Sequence, residues 1–384
     1  MANRFGYDKV DFDDRVKWVD DNSQHFLRAA NDPLSNIDVW GKADKPYQFL
    51  AALFEYKGML DGKLVGRKEE DFVSHLPVGL DGSCNGLQHF SAMLRDERGG
   101  KATNLLPAAV PSDIYREVGN VCFDKVKRSP EPVMREWESF ARRFGDGLLP
   151  RDVPKRPVMT MPYGSTRQSC TEYINEAVCK YDRKHFTHAS SFGASTALTP
   201  LLWESIGEVV VAAREGMDWL KSCASVMSKA NKGITWRTHD GFVVYMFSRV
   251  KHKQQIDTVL AGRFQVVVGS FTNVLNRHGQ RNGVAPNFVH SQDASHLRAT
   301  VRKAHAAGIN SLALIHDDYG THATDTDTLH AIIRETFVEQ YTEFDPLGCF
   351  KEWQELISGQ SMPELPKIGT LNIELVKDSQ FFFS

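Results

Sequence analysis

The chain has 384 residues, of which 41% are hydrophobic, 10% aromatic and 24% charged. That composition excludes a disordered or fibrous polypeptide and leaves length for about two to three domains of roughly 150 residues each. Lys and Arg total 46 against 48 Asp and Glu, a net charge of -2. No global positive field therefore marks a nucleic-acid partner, and any such surface has to come from a local concentration of cations.

The six cysteines, Cys84, Cys122, Cys170, Cys179, Cys223 and Cys349, form no C-x-x-C pair. Neither a structural zinc site nor a redox motif is expected, and free thiols in a reducing compartment are. The start, Met1-Ala2-Asn3-Arg4-Phe5-Gly6, runs into acids without an apolar core, unlike a signal peptide. The longest apolar runs, 209–213 and 311–315, are too short to cross a bilayer. These features predict a soluble, cytoplasmic protein with no membrane partner.

In chain order, residues 1–75 are charge-rich, with Trp18, Phe26, Trp40, Phe49, Leu50 and Phe54 at roughly helical spacing, and predict several helices. Residues 76–82 read as a short buried strand ending on Asp81. Residues 87–94 read as a helix closed by Gly99-Gly100, and 112–145 as largely helical with Ser112 as N-cap. The stripe Leu202, Ile206, Val209, Val210, Ala213, Met217, Leu220 predicts one long helix within 199–229 whose apolar face is core. Strands follow at 235–237, 242–246 and 264–268, with 277–283 as a polar tip, which makes 262–283 a candidate hairpin. Helix returns over 291–308. Residues 311–315, the turn His316-Asp317-Asp318-Tyr319-Gly320 and Thr321-His322-Ala323 read as strand, tight turn, strand. A helix over 326–341 and the tail Phe381-Phe382-Phe383-Ser384 complete the chain. The order lacks βαβα alternation, so the fold class is α+β; no P-loop and no dinucleotide fingerprint is present.

Two acids stand out. Asp81 ends a strand beside Gly82, and Asp317 sits at a hairpin tip. Two carboxylates on rigid strand ends suit two Mg²⁺ ions, hard cations that prefer oxygen, with a carbonyl at Gly82 able to approach. The plainer alternative for each is a turn residue. Next, Arg151, Lys155, Met159 and Tyr163 recur every four residues and would share one helical face: two cations, an apolar residue, then an aromatic hydroxyl. That order suits a nucleoside triphosphate; the alternative is a solvated basic face. Between Ala141 and Cys170 there are six basic residues (Arg142, Arg143, Arg151, Lys155, Arg156, Arg167) against two acids (Asp146, Asp152). Pro154, Pro157 and Pro162 constrain this helix: one of the first two fits its first turn, Pro162 ends it, and Arg151 falls on its approach.

At this point the residues carry a resemblance. Asp81 through Asp96, DGSCNGLQHFSAMLRD, resembles motif A of the single-subunit, bacteriophage T7-like RNA polymerases. Arg151 through Gly164, with spacing R-x3-K-x7-Y-G, resembles their motif B, and Ile315 through Thr321, IHDDYGT, their motif C. Pro286 through His296, PNFVHSQDASH, resembles the segment preceding motif C. The resemblance implies a right-hand polymerase: a palm built on a small antiparallel sheet with helices, and largely helical fingers. The palm would take residues 1–109 and 291–384, and the fingers 110–290, with a promoter-reading hairpin near 263–283. It further implies that thumb and N-terminal domain are absent, with a separate N-terminal polymerase chain as a candidate partner beside DNA template, RNA product and ribonucleoside triphosphates.

Residue by residue, the resemblance implies that Asp81, Gly82 and Asp317 hold metal and that Lys155 contacts the triphosphate and protonates the leaving pyrophosphate. Arg151 and Arg156 would serve nucleotide binding. Tyr163 and Gly164 would close the sugar side, and His290 would lie near the nascent base pair. Tyr115 would lie near the template base, and Lys9 is matched to a phosphate contact. The related family A DNA polymerases carry a bulky Glu five residues after the motif A aspartate; Gly86 stands there, so no steric gate opposes a 2′-hydroxyl. Asp318 departs from the usual serine. The implied function is DNA-directed RNA synthesis. The alternatives are a catalytically incompetent polymerase fragment and a metal-dependent phosphohydrolase using His239-Asp240 and His316-Asp317, which would need those pairs on helices.

Overall fold

The computed structural model describes residues 1–7, 10–68, 71–259 and 264–384; Lys9 and Arg263 lie outside the described residues. The first helices, α1 (Ala2–Phe5), α2 (Phe12–Asn31), α3 (Ile37–Trp40) and α4 (Pro46–Leu64), form a small core of their own. Its centre is aromatic: Phe5, Trp18, Phe26 and Phe49 pack with ring centroids 4.9–5.4 Å apart. The helical spacing read from those aromatics is borne out, except that Phe54 is exposed.

Next come β1 (Val78–Asp81), α5 (Asn85–Leu94) and α6 (Glu97–Ala102), then α7 (Ile114–Arg128) and α8 (Pro132–Phe144). All ten residues of α5 are buried, so this helix is the axis of the main core. The expected closing glycines, Gly99 and Gly100, lie inside α6. The stretch 112–145 is largely helical, as expected, in two helices that part where Ser129 precedes Pro130 and takes an extended conformation. The cap is Asp113, not Ser112: its carboxylate accepts the Tyr115 and Arg116 N–H groups at 3.1 and 3.2 Å.

The chain continues through α9 (Asp152–Thr160), a 3-10 turn (Met161–Tyr163), α10 (Arg167–Tyr181), α11 (Ser191–Val209) and α12 (Val211–Lys229). The stripe from Leu202 to Leu220 is core, as expected, but it lies on two helices bent by 97° at Val210. Adjacent positions diverge by about 100° around a straight helix. The bend lets Val209 and Val210, each 1% exposed, both face inward. Among the described residues no single helix is long and apolar enough to cross a membrane.

Three antiparallel sheets follow from the remaining strands: β2 (Ile234–Arg237) with β3 (Val243–Met246), β4 (Arg249–Thr258) with β5 (Phe264–Leu275), and β1 with a hairpin of β6 (Leu312–Ile315) and β7 (Asp318–Thr321). Helix α13 (Arg277–Ala306) enters between them; α14 (Thr326–Thr342), α15 (Pro346–Ser358) and a 3-10 turn (Ile373–Asp378) end the chain. The architecture is α+β with small antiparallel sheets, as the element order predicts.

The hairpin near 262–283 is displaced. It runs from Arg249 to Leu275, and the polar stretch 277–283 is the beginning of α13, capped by the Asn276 side chain accepting the Gly279 N–H at 2.9 Å. Its glycines mark close approach and not a turn: a Cβ at Gly283 would stand 2.9 Å from Met246 Cε on β3.

The tail is held from inside. Arg334 on α14, 3% exposed, donates from Nε to the Ser379 carbonyl at 2.9 Å, from Nη1 to that of His330 at 2.9 Å and from Nη2 to that of Gln380 at 3.2 Å. Burial pulls its pKa down to about 9. The tail so anchored puts Phe383 against Tyr319 of β7, with centroids 5.3 Å apart, and the Ser384 N–H on the Asp81 carbonyl at 3.3 Å. Removing a buried guanidinium strands carbonyls without donors. Arg334→Met is therefore expected to lower unfolding stability by about 3 kcal/mol in urea titrations, and Arg334→Lys, lacking the fork of donors, to restore less than half of that loss.

Candidate active site

β7 pairs with β1 on one side and β6 on the other, in the register Asp81↔Asp318 and Ile315↔Asp318. The two-residue connection His316-Asp317 therefore brings Asp317 beside the end of β1, where Asp81 points into the same space. His316 adopts φ 57, and Cys84, three residues after Asp81, adopts φ 63. Both acid-bearing turns thus carry a non-glycine residue in the left-handed region, a strained conformation that the surrounding packing imposes.

The acids resist ionisation. Burial, then the charges of Asp317 and Asp318, raise the Asp81 pKa to about 6 against the Gly82 N–H and the Lys45 charge, which lower it. Asp317 is also raised, chiefly by burial. A third carboxylate, Asp293 on α13, is raised to about 6 by burial and by Asp317 against the opposing hydrogen bond from Asn85. Among the described residues no group of three or more His, Cys, Asp or Glu side chains is arranged to hold a metal ion by itself. The donor set is a carboxylate pair with the main chain at Gly82. Such a set fits Mg²⁺, which is commonly held by one or two carboxylates and completes its shell with water and phosphate oxygens.

Asp81, Gly82 and Asp317 line one wall of a cleft of about 1990 Å³ that also receives Arg151, Lys155, Tyr163, Tyr115 and His290. The sequence-predicted face is real: Arg151 stands at the N-cap of α9, Lys155 one turn on, and Tyr163 in the 3-10 turn that follows. Pro154 occupies the first turn, Pro157 lies inside the helix, and Pro162 falls where the α-helix has given way to the 3-10 turn closed by Gly164 at φ 79.

Arg151 donates from Nε to Asp113 Oδ2 at 2.5 Å, and its guanidinium lies 4.9 Å from the centre of the Tyr115 ring. Lys155 is exposed and makes no ion pair among the described residues, leaving its ammonium free for a ligand. Two expected residues are not brought to the others. Arg156 points away, pairing with Glu176 and lying 4.3 Å over Tyr173 on α10. Gly164 packs behind Tyr163 against the α13 backbone, where a Cβ would sit 3.4 Å from the Asn282 carbonyl. Consecutive residues of a helix diverge by about 100°, and Arg156 follows Lys155 directly.

Tyr163 and His290 stack almost parallel, 4.4 Å apart at 8°. Beneath them, a Cβ at Gly86 would lie 2.9 Å from Tyr163 Oη and 3.0 Å from Pro162 Cβ, so only glycine admits the tyrosine at this depth. Burial raises the Tyr163 phenol and lowers His290, leaving both neutral at pH 7. Tyr115 shares a hydrogen bond with the Cys84 thiol, whose pKa burial pushes up to about 12.

The sequence reading passed over Asn85, His89 and Asp293, although the spacing of Asn85 and His89 on α5 and of His290 and Asp293 on α13 holds the signal. The phosphohydrolase alternative fails on placement. His316-Asp317 lies between strands, and His239 and Asp240 turn to different partners, Glu343 at 3.2 Å and the Arg298 guanidinium.

The sequence model of the DNA-dependent RNA polymerases matches residues 1–360. The chain belongs to that family. It is 36% identical to the T7 RNA polymerase of Escherichia phage T7 over 428 aligned positions, covering 100% of this chain and 48% of the relative. The DNA-directed RNA polymerase of Pseudomonas phage phiKMV is 32% identical, covering 100% of this chain and 46% of the relative. The mitochondrial DNA-directed RNA polymerase of Schizosaccharomyces pombe is 30% identical, covering 100% of this chain and 36% of the relative. The chain thus spans about half the length, or less, of these polymerases.

Because the raised Asp81 pKa lies above its unfolded value of 3.8, the folded protein holds that proton more tightly. The resulting stabilisation is complete below about pH 4 and is lost as pH rises through about 6. Asp81→Asn is expected to raise the melting temperature of the metal-free protein by a few degrees at pH 7 and to leave it unchanged at pH 4, as read by calorimetry at both pH values.

Proposed function

We propose that this chain carries the catalytic centre of a DNA-directed RNA polymerase, with ribonucleoside triphosphates as substrates and DNA as template. The observation that supports this most is that Asp81 and Asp317 line the same cleft as Arg151, Lys155 and Tyr163. Residues 1–109 and 291–384 would form the palm and 110–290 the fingers, with the β4–β5 hairpin in the position of a promoter-reading loop.

In this reading Asp81 and Asp317, with the Gly82 carbonyl, hold two Mg²⁺ ions, whose charge offsets that of the in-line phosphoryl transfer. Lys155 binds the triphosphate and stands ready to donate a proton to the departing pyrophosphate. Arg151, steadied by Asp113, binds phosphate and keeps Tyr115 in place beside the template base. Tyr163 offers its hydroxyl to the ribose 2′-OH, and the absence of a side chain at Gly86 leaves that hydroxyl room. Catalysis comes chiefly from positioning and from charge already in place before the reaction.

The test is extension of an RNA primer on a DNA template with Mg²⁺, using this chain alone and with a separately expressed N-terminal polymerase chain. Template-directed ribonucleotide addition that falls about 10³-fold or more in Asp317→Ala is expected; undiminished extension in that variant would remove the metal assignment. Tyr163→Phe is expected to retain primer extension while lowering the preference for UTP over dUTP by about tenfold, the worth of one well-placed hydrogen bond.

A further inference from the structure

We propose that Asn85 clamps Asp293 through a buried hydrogen bond, beside the unpartnered Nε2 of His89, and that this clamp fixes the height of the Tyr163–His290 stack above Gly86 and so positions the site for ribose. The inference rests on the polymerase reading and deepens it by naming positioning residues for sugar selectivity.

Asn85 and His89 are one turn apart on α5 and share a face. Both approach the same oxygen of α13: Asn85 Nδ2 donates to Asp293 Oδ1 at 2.7 Å, and His89 Nε2 lies 4.0 Å from that atom. His89 is completely buried. Its Nδ1 lies 2.5 Å from Tyr341 Oη, and that hydroxyl also accepts from Gln340 Nε2 at 3.2 Å. A tyrosine hydroxyl has one proton. With that proton given to His89 Nδ1, the imidazole carries its own on Nε2, which lies 4.0 Å from Asp293 Oδ1 and makes no hydrogen bond among the described residues.

The contacts close a ring. Asp293 is one turn beyond His290 on α13. His290 stacks on Tyr163, and the Tyr163 hydroxyl reaches Gly86, the neighbour of Asn85 on α5. Two helices cross at this point, and a slide of one along the other changes the gap between Tyr163 and Gly86. Asp293 is 8% exposed and buried within the field of Asp317, a costly place for an acid if packing alone were needed. Asp293 is the only group in the ring that ties α13 to α5 through a directional polar contact one turn from the sugar-facing pair.

The experiment compares binding of UTP and dUTP, with Mg²⁺, to the protein on an RNA primer–DNA template presenting adenine. Five proteins are used: the parent, Asn85→Ala, Tyr163→Phe, the double variant Tyr163→Phe with Asn85→Ala, and the exchanged pair Asn85→Asp with Asp293→Asn, which keeps a hydrogen bond of reversed direction. The expected result is a five- to tenfold loss of the UTP preference in Asn85→Ala, its return in the exchanged pair, and no added loss when Tyr163→Phe is combined with Asn85→Ala. A merely structural role would weaken UTP and dUTP alike in step with a lowered melting temperature. That result, or an undiminished UTP preference in Asn85→Ala, overturns the clamp while leaving the polymerase reading intact. A parent protein that binds both nucleotides but without preference does the same. A parent that binds neither nucleotide on the template overturns both.

Discussion

The burial of two acids, Asp81 and Asp317, at one end of a sheet is the constraint around which the rest of this structure is arranged. Two carboxylates, each with a raised pKa, do not gather of their own accord; they are held by strands whose register leaves them no alternative. β7 is shared between β1 and β6, so the turn bearing Asp317 and the strand end bearing Asp81 are fixed relative to each other by main-chain hydrogen bonds that do not depend on the side chains. The energy that offsets this burial comes from elsewhere. It lies in a wholly buried α5, in aromatic packing of Phe383 and Tyr319 beneath the sheet, and in the Arg334 fork that secures the tail.

The cleft also takes charge of the opposite sign. α9 brings Arg151 and Lys155 into its lining and leaves Arg156 outside, so the local basic excess divides into a part that lines the cleft and a part tied up with Glu176. Arg151 is pinned by Asp113, the same residue that caps α7 and thereby orients Tyr115. One carboxylate thus couples the cationic helix to the helix that presents Tyr115. Lys155, with no ion pair among the described residues, has no comparable restraint.

Sequence patterns conveyed much of this fold where the cause is local. The strand ending in Asp81, although only Leu80 of its four residues is buried and not the whole strand as expected, the strand–turn–strand around Asp317, the shared face of Arg151, Lys155 and Tyr163, and the α+β order all follow from short-range periodicity and turn chemistry. The misreadings have tertiary causes. Gly279 and Gly283 look like a hairpin tip, yet they are glycines because α13 lies close against the preceding strand segment. The stripe from Leu202 to Leu220 fits one helix equally well in one dimension; a 97° bend is preferred because it buries Val209 and Val210 together. Gly99 and Gly100 lie within a helix and do not end one.

The sequence by itself determined which chemical groups are present and which short segments carry them: two acids at strand ends, a cationic helical face, and a glycine, Gly86, five residues after Asp81. It also carried the family, because those segments are contiguous runs. Only the tertiary structure decided which groups meet. Arg156 and Gly164 belong to the same run as Lys155 and Tyr163 but turn away from the cleft, while Asp293 and Asn85, 208 residues apart, share a hydrogen bond beside it. The reason is physical. Periodicity fixes the side of an element on which a residue lies, but the crossing of two elements is set by packing volumes distributed over the whole core, and no local pattern records it.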